Sequence, residues 1–107
     1  MAKLPRGTIS VIFIAQRTDA DAAGYAGAAA LMETLAAQQE GYIAMDSVRG
    51  SDGLGITVSY WTNEASAKAW RDHPEHIAIR NSGRDLWYND YSLHVTEVTR
   101  SYDWEKP

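Results

Sequence analysis

The run ISVIFIAQ, Ile9 to Gln16, constrains the fold more than any other stretch of the chain. Ile9, Val11, Phe13 and Ala15 alternate with Ser10, Ile12, Ile14 and Gln16, and both sets are largely apolar. The β-branched content makes the run a strand, and a strand that is apolar on both faces has to be covered on both sides. Whatever this chain folds into must therefore place helices on one face of a sheet and find a second cover for the other.

The remaining segments supply such elements in order. Thr18 and Asp19 are expected to cap a first helix, roughly Asp21 to Glu40, in which Tyr25, Ala28, Ala29, Met32, Leu35 and Ala36 recur at helical spacing until Gly41. Tyr42 to Arg49 and Leu54 to Trp61 read as two strands joined by the turn GSDG, an antiparallel hairpin. Thr62 and Asn63 can cap a second helix. Pro74 would clash with the carbonyl of Trp70, so this helix should break and restart between Trp70 and His73, with Asp72 and Glu75 capping the restart. The restarted turn carries His73, His76, Ile77 and Arg80 on one stripe and ends at Gly83. Tyr91 to Arg100 reads as the last strand, with Tyr91, Leu93 and Val95 on one side and His94, Thr96 and Val98 on the other. The order β-α-β-β-α-β is that of a ferredoxin-like α+β fold, an antiparallel sheet with both helices on one face. The other face stays apolar, and its expected cover is a second copy of the chain, a homodimer.

Composition narrows the chemistry. With 107 residues the chain has the length of one domain, and residues 1–107 are read as such. The net charge of −4 and the scattered arginines give a polyanion nothing to hold, so no nucleic-acid partner is expected. No cysteine is present, which removes disulfides, thiolate metal sites and a cysteine nucleophile. No apolar run is long enough for a membrane span or a signal peptide, and a cytoplasmic location is expected.

The stretch from Ser59 to Ile79 concentrates two tryptophans, a tyrosine and two of the three histidines. His73 and His76, three apart on a helix, could face one ion with His94 as a third ligand, but carboxylates at matching positions are lacking and no metal site is assigned. A histidine beside aromatic rings could also act as an acid or base on a flat substrate held away from water. Equally, Trp61, Trp70 and Trp87 could be core aromatics and the histidines could satisfy backbone groups. The glycines at Gly50, Gly53 and Gly55 fall in a hairpin turn and make no phosphate loop.

Taken together, Gly24-Tyr25 early in the first helix, Ser59-Tyr60-Trp61 ending a strand, Trp70, His73 and His76 in the next helical segment, and Trp87-Tyr88 before Tyr91 resemble the antibiotic biosynthesis monooxygenase family over roughly residues 8 to 102. The resemblance implies a dimeric α+β barrel with a pocket between helices and sheet. It also implies one of several activities: cofactor-independent oxygenation of polycyclic phenols or quinols, or haem degradation. In the cofactor-independent members the ionised substrate itself passes an electron to oxygen, so neither flavin nor metal is implied. The haem-degrading branch places an asparagine and an axial histidine where this chain has Gln16 and Arg80, and the polyketide-oxidising branch places an amide where it has Ser66. His76, a turn deeper than His73 on the stripe with Ile77 and Arg80 and close to Trp70 across the kink, is the histidine expected in the pocket, and His76 and Trp70 are the expected catalytic pair. Trp61, Trp87 and Tyr91 are expected to wall the pocket, with Gln16 and Arg80 holding carbonyl or phenolate oxygens. Binding or sensing of an aromatic molecule or haem in the same pocket, without turnover, is the alternative.

Overall fold

A computed structural model describes residues 4–107. The order is β1 (Ile9–Arg17), α1 (Ala22–Ala37), β2 (Tyr42–Arg49), β3 (Leu54–Trp61), α2 (Glu64–Arg71), α3 (Pro74–Ser82), a π-helical turn (Gly83–Trp87) and β4 (Tyr88–Glu97). The four strands form one antiparallel sheet in the order β2-β3-β1-β4, as the ferredoxin-like reading requires. The doubly apolar β1 is therefore central, where both its faces can be covered.

Register sorts the side chains into two faces. Ile9 pairs with Trp61, Val11 with Ser59 and Val95, Phe13 with Thr57 and Leu93, and Ala15 with Gly55 and Tyr91; these point toward the helices. Ser10, Ile12, Ile14 and Gln16 share the opposite face with Tyr60, Val58, Ile56 and Leu54 of β3 and with Thr96, His94, Ser92 and Asp90 of β4. α1 packs over β2, and α2 packs over β1 and β3. The core between them is Ile9, Ala36, Trp61, Ala67 and Trp70, with Val11, Met32, Leu35, Tyr42 and Met45 against it. No helix lies over the middle of β4 in the same way, and Leu93 and Val95 are 51% and 55% exposed although they face the helix side. No helix among the described residues is long and apolar enough to cross a membrane.

Several element ends differ from the sequence expectation, each for a local reason. α1 begins at Ala22 because Asp21, held at φ 50°, accepts the Gly24 N–H on its carboxylate. A Cβ on Gly24 would strike that carboxylate, which explains the glycine. Thr18 is not a cap; its hydroxyl donates to the Leu86 carbonyl at 2.6 Å and ties β1 to the π turn. The inward stripe of α1 runs through Tyr25, Ala28, Met32, Leu35 and Ala36, while Ala29 faces solvent. Neither Asp72 nor Glu75 caps α3: Asp72 is paired with Arg71, and the His73 imidazole accepts the Glu75 N–H instead. α3 ends at Ser82 with Gly83 as its C-cap, as expected, but the chain goes on into the π turn rather than a loop; the Tyr88 ring packs where a side chain on Gly83 would lie, and β4 runs from Tyr88 to Glu97.

Candidate functional site

Pro74 determines the shape of the site. As the first residue of α3 it has no N–H to offer the carbonyl of Trp70, four residues earlier, so the helix cannot run through. The Trp70 carbonyl is bonded instead by the His73 N–H at 3.1 Å and by His76 Nδ1 at 2.9 Å. A carbonyl only accepts, so Nδ1 carries the proton and the lone pair of His76 sits on Nε2. His73 is polarised the other way, because its Nδ1 accepts the Glu75 N–H at 3.2 Å. The two histidines of one short segment thus present different nitrogens.

The same joint sets the rings. The His76 imidazole stacks on Trp70 at 4.5 Å and 19°, and Trp70 stacks on Trp61 at 6.4 Å and 24°. Tyr42 meets Trp61 edge-on at 5.7 Å. Burial pushes the His76 pKa below its ordinary value; the bond to the Trp70 carbonyl opposes this, and the Arg80 and His73 charges reinforce it. His76 is therefore a neutral imidazole at neutral pH. Arg80, one turn along α3, is half-buried and its Nε has no partner.

A second aromatic network lies at the other end of the sheet. Phe13 contacts Tyr88 at 5.4 Å and Tyr91 at 5.2 Å, and Tyr25 meets Trp87 and Tyr88 edge-on at 5.7 and 6.1 Å. Arg84 donates from Nε to the Tyr91 hydroxyl at 2.7 Å, which leaves that hydroxyl's own proton free to point elsewhere. The Tyr88 hydroxyl is pushed up by burial and by the adjacent Tyr25 phenol, with Arg49 and Arg17 opposing. Between the two networks, Val11 and Phe13 of β1 and the exposed Leu93 and Val95 of β4 form an apolar strip on the helix side of the sheet.

Measured against the sequence assignments, the structure splits the set. His76, Trp70 and Trp61 form one stack with Arg80 beside it, whereas Trp87 and Tyr91 belong to the second network. Gln16 joins neither. Alternation places it on the helix-free face, where its amide donates to the Asp52 carbonyl at 2.7 Å and packs against Gly53. Trp61 has no exposed surface, and its indole N–H is spent on Ser59 Oγ at 3.0 Å, so it is core and offers no wall to a ligand. Trp70 and Trp87, each 7% exposed, are also closed to solvent. His94 faces away from His73 and His76, on the far side of the sheet. Among the described residues no three His, Asp or Glu side chains converge on one point. Arg84, Arg17 and Arg49 are not singled out by the sequence, and Tyr25 and Tyr88 are marked there only by the family resemblance and, for Tyr25, by the helix stripe. The strand alternation from Ile9 to Arg17 could have placed Arg17 on the helix side, while the π turn hides Arg84 from any helical periodicity. Two surface hollows of about 380 Å³ lie elsewhere, at Leu4–Arg6 with Thr99–Ser101 and at the β2–β3 turn.

The depressed His76 pKa fixes the sign of a pH effect. The unfolded chain binds this proton more readily than the folded one, so folding is favoured above the ordinary histidine pKa of about 6.5 and weakens as pH falls through and below it. Urea denaturation at stepped pH should show the native protein losing stability on acidification from about pH 7 toward 5, and His76→Phe, which keeps a stacked ring, should lose less. Identical slopes for the two proteins would contradict a buried neutral imidazole.

Comparison with known proteins agrees with this architecture. Residues 9–82 match the family model described as antibiotic biosynthesis monooxygenase. An uncharacterized protein of Bacillus subtilis (strain 168), YqjZ, is 43% identical over 91 residues, covering 85% of this chain and 79% of that one. Among solved structures, a putative antibiotic biosynthesis monooxygenase from Nitrosomonas europaea superimposes with a TM-score of 0.76 at 9% identity, over 89% of this chain and 93% of that one. The N63A mutant of SnoaB, a cofactor-independent oxygenase from Streptomyces nogalater, does so with a TM-score of 0.75 at 14% identity, over 88% and 95%. At such identities these two structures establish the shared fold, while the family match and the Bacillus relative establish kinship: the chain belongs to the antibiotic biosynthesis monooxygenase family.

Proposed function

We propose that this chain is a cofactor-independent monooxygenase acting on a flat, electron-rich phenol or quinol. The observation that carries the reading is the polarised imidazole: His76 donates through Nδ1 to the Trp70 carbonyl, and its Nε2 makes no hydrogen bond among the described residues. A neutral, half-buried imidazole with a free lone pair is the form a general base requires. The substrate would lie along the apolar strip of Val11, Phe13, Leu93 and Val95. His76 would take its phenolic proton, and the resulting anion would pass one electron to O₂, the two radicals then joining in a C–O bond. Loss of water from the peroxide leaves one oxygen atom in a carbonyl and the other in water. Arg80, beside His76, is suited to hold the developing negative oxygen, while the Tyr91 hydroxyl oriented by Arg84 offers a polar contact at the far end of the strip. The kinship and the likeness to a cofactor-independent oxygenase support this chemistry.

A second reading, binding of an aromatic molecule or haem without turnover, is favoured by the burial of Trp70 and by the structural use of His76 at the helix joint. Oxygen uptake with a panel of quinols and anthrones separates the two. If turnover is found, His76→Ala should lower it by about a hundredfold, the lower range for loss of a general base, whereas His73→Asn, which keeps a capping side chain, should leave it nearly unchanged. Equal losses in both, or none in a folded His76→Ala protein, would remove His76 from the role. Saturable binding without any oxygen uptake would favour the second reading.

We further propose that the working form is a homodimer joined through the helix-free face. Ile12, Ile14, Ile56 and Val58 form its centre and are only partly covered, and Leu54 and Val48 beside them are 42% and 67% exposed. Apolar surface of this extent on a central strand calls for a partner. Light scattering at micromolar concentration should give twice the chain mass of 11.9 kDa, and Val58→Asp should give the single-chain value; a single-chain mass for the native protein would exclude the dimer.

A further inference from the structure

We propose a second binding site, for the carboxylate of a small aromatic acid, formed by Arg17 and Arg49 where they converge on Tyr25. The guanidinium carbons stand 3.7 Å (Arg17) and 4.4 Å (Arg49) from the centre of the Tyr25 ring, which bounds the separation of the two charges at about 8 Å. Like charges this close repel, and among the described residues neither has a carboxylate partner: the ion pairs are Lys68–Glu64 and Arg71–Asp72. Neither guanidinium makes a hydrogen bond to another side chain there, and Arg17 Nε is buried with no partner. The Trp87 indole, 7% exposed and edge-on to Tyr25, likewise holds an unpartnered N–H.

The place is built by the fold. Arg17 ends β1 on the helix side, tied there by its N–H to the Gly53 carbonyl at 3.0 Å. Arg49 ends β2 on the same side, opposite Gly55, and its guanidinium lies 3.6 Å from where a Gly55 side chain would begin. Tyr88 completes the group as a neutral phenol beside Tyr25. The His76 stack is six residues away along β3, at the Trp61 end, a distance of about 20 Å. The arginine pair is thus set apart from His76, although Tyr88 also touches Phe13 and Tyr91 at the near end of the apolar strip, and the proposal does not rest on the oxygenation chemistry.

Charge and surroundings select the ligand. A guanidinium over a ring without a hydrogen-bonding side-chain partner still has N–H groups to offer, and its planar fork matches the two oxygens of a carboxylate. Phosphate matches the fork too, but its heavier hydration makes it the poorer fit among Tyr25, Trp87 and Tyr88. An aromatic monocarboxylate supplies the missing negative charge at a smaller desolvation cost.

Calorimetric titration of the full chain with 1-naphthoate, 1-naphthalenemethanol and inorganic phosphate tests the site. Saturable binding of naphthoate, with the neutral alcohol and phosphate weaker, is expected. Arg49→Gln, at an exposed position, should weaken naphthoate binding about tenfold or more, as should Arg17→Gln, each in a protein shown to be folded by circular dichroism. His76→Phe should leave it unchanged. Absence of saturable naphthoate binding, equal affinity for the alcohol or phosphate, full affinity in Arg49→Gln, or loss of binding in His76→Phe would each overturn the proposal.

Discussion

The missing N–H of Pro74 shapes the centre of this molecule. It opens the helical segment after Arg71 and leaves the Trp70 carbonyl free to accept, and the His76 imidazole fills that need from within the next turn. One hydrogen bond then does two things. It orients the imidazole flat against Trp70, whose own ring rests on the fully buried Trp61, so the joint is anchored to the deepest part of the core. It also assigns the proton to Nδ1, which decides what the other nitrogen can do. The contact that repairs the joint is thus also the one that sets the tautomer.

The sheet leaves an open apolar strip on the side where the repaired joint lies. Central β1 is apolar on both faces, but α1 and α2 lie over β1, β2 and β3 and leave the helix side of β4 open. Leu93 and Val95 would be covered in a tightly closed sandwich; here they extend the strip that starts at Phe13. The π turn contributes by setting Arg84 on the Tyr91 hydroxyl and by giving the Tyr88 ring its place over Gly83. Polar atoms thus border an apolar floor at both ends, in keeping with the binding of flat organic molecules.

Much of the architecture was legible in the sequence because it rests on periodicity. The alternation in Ile9–Gln16, the GSDG turn and the Pro74 break gave the strand, the hairpin and the interrupted helix, and the ferredoxin-like order followed. The element ends were less legible, since they turn on single hydrogen bonds: Asp21 in place of Thr18 or Asp19, and His73 in place of Asp72. The site was readable only in part. The family resemblance marked Trp61 and Gln16 as ligand contacts; in the structure Trp61 is fully buried and strand parity sets Gln16 on the helix-free face, away from His76. Tyr25, with Arg17 and Arg49 against its ring, joins residues from three separate segments, and no local pattern announces such a meeting.

The tautomer of His76 is the most direct test of this account, because both the repair of the joint and the availability of a base depend on it. Long-range ¹H–¹⁵N correlation spectra of the ring at neutral pH distinguish the two neutral forms and the imidazolium. A neutral ring protonated at Nδ1 is predicted, with the Nε2 shift typical of an unprotonated nitrogen. A ring protonated only at Nε2 would contradict the hydrogen bond to the Trp70 carbonyl, and one already cationic at neutral pH would leave Nε2 without a lone pair; either result would remove the role proposed for His76.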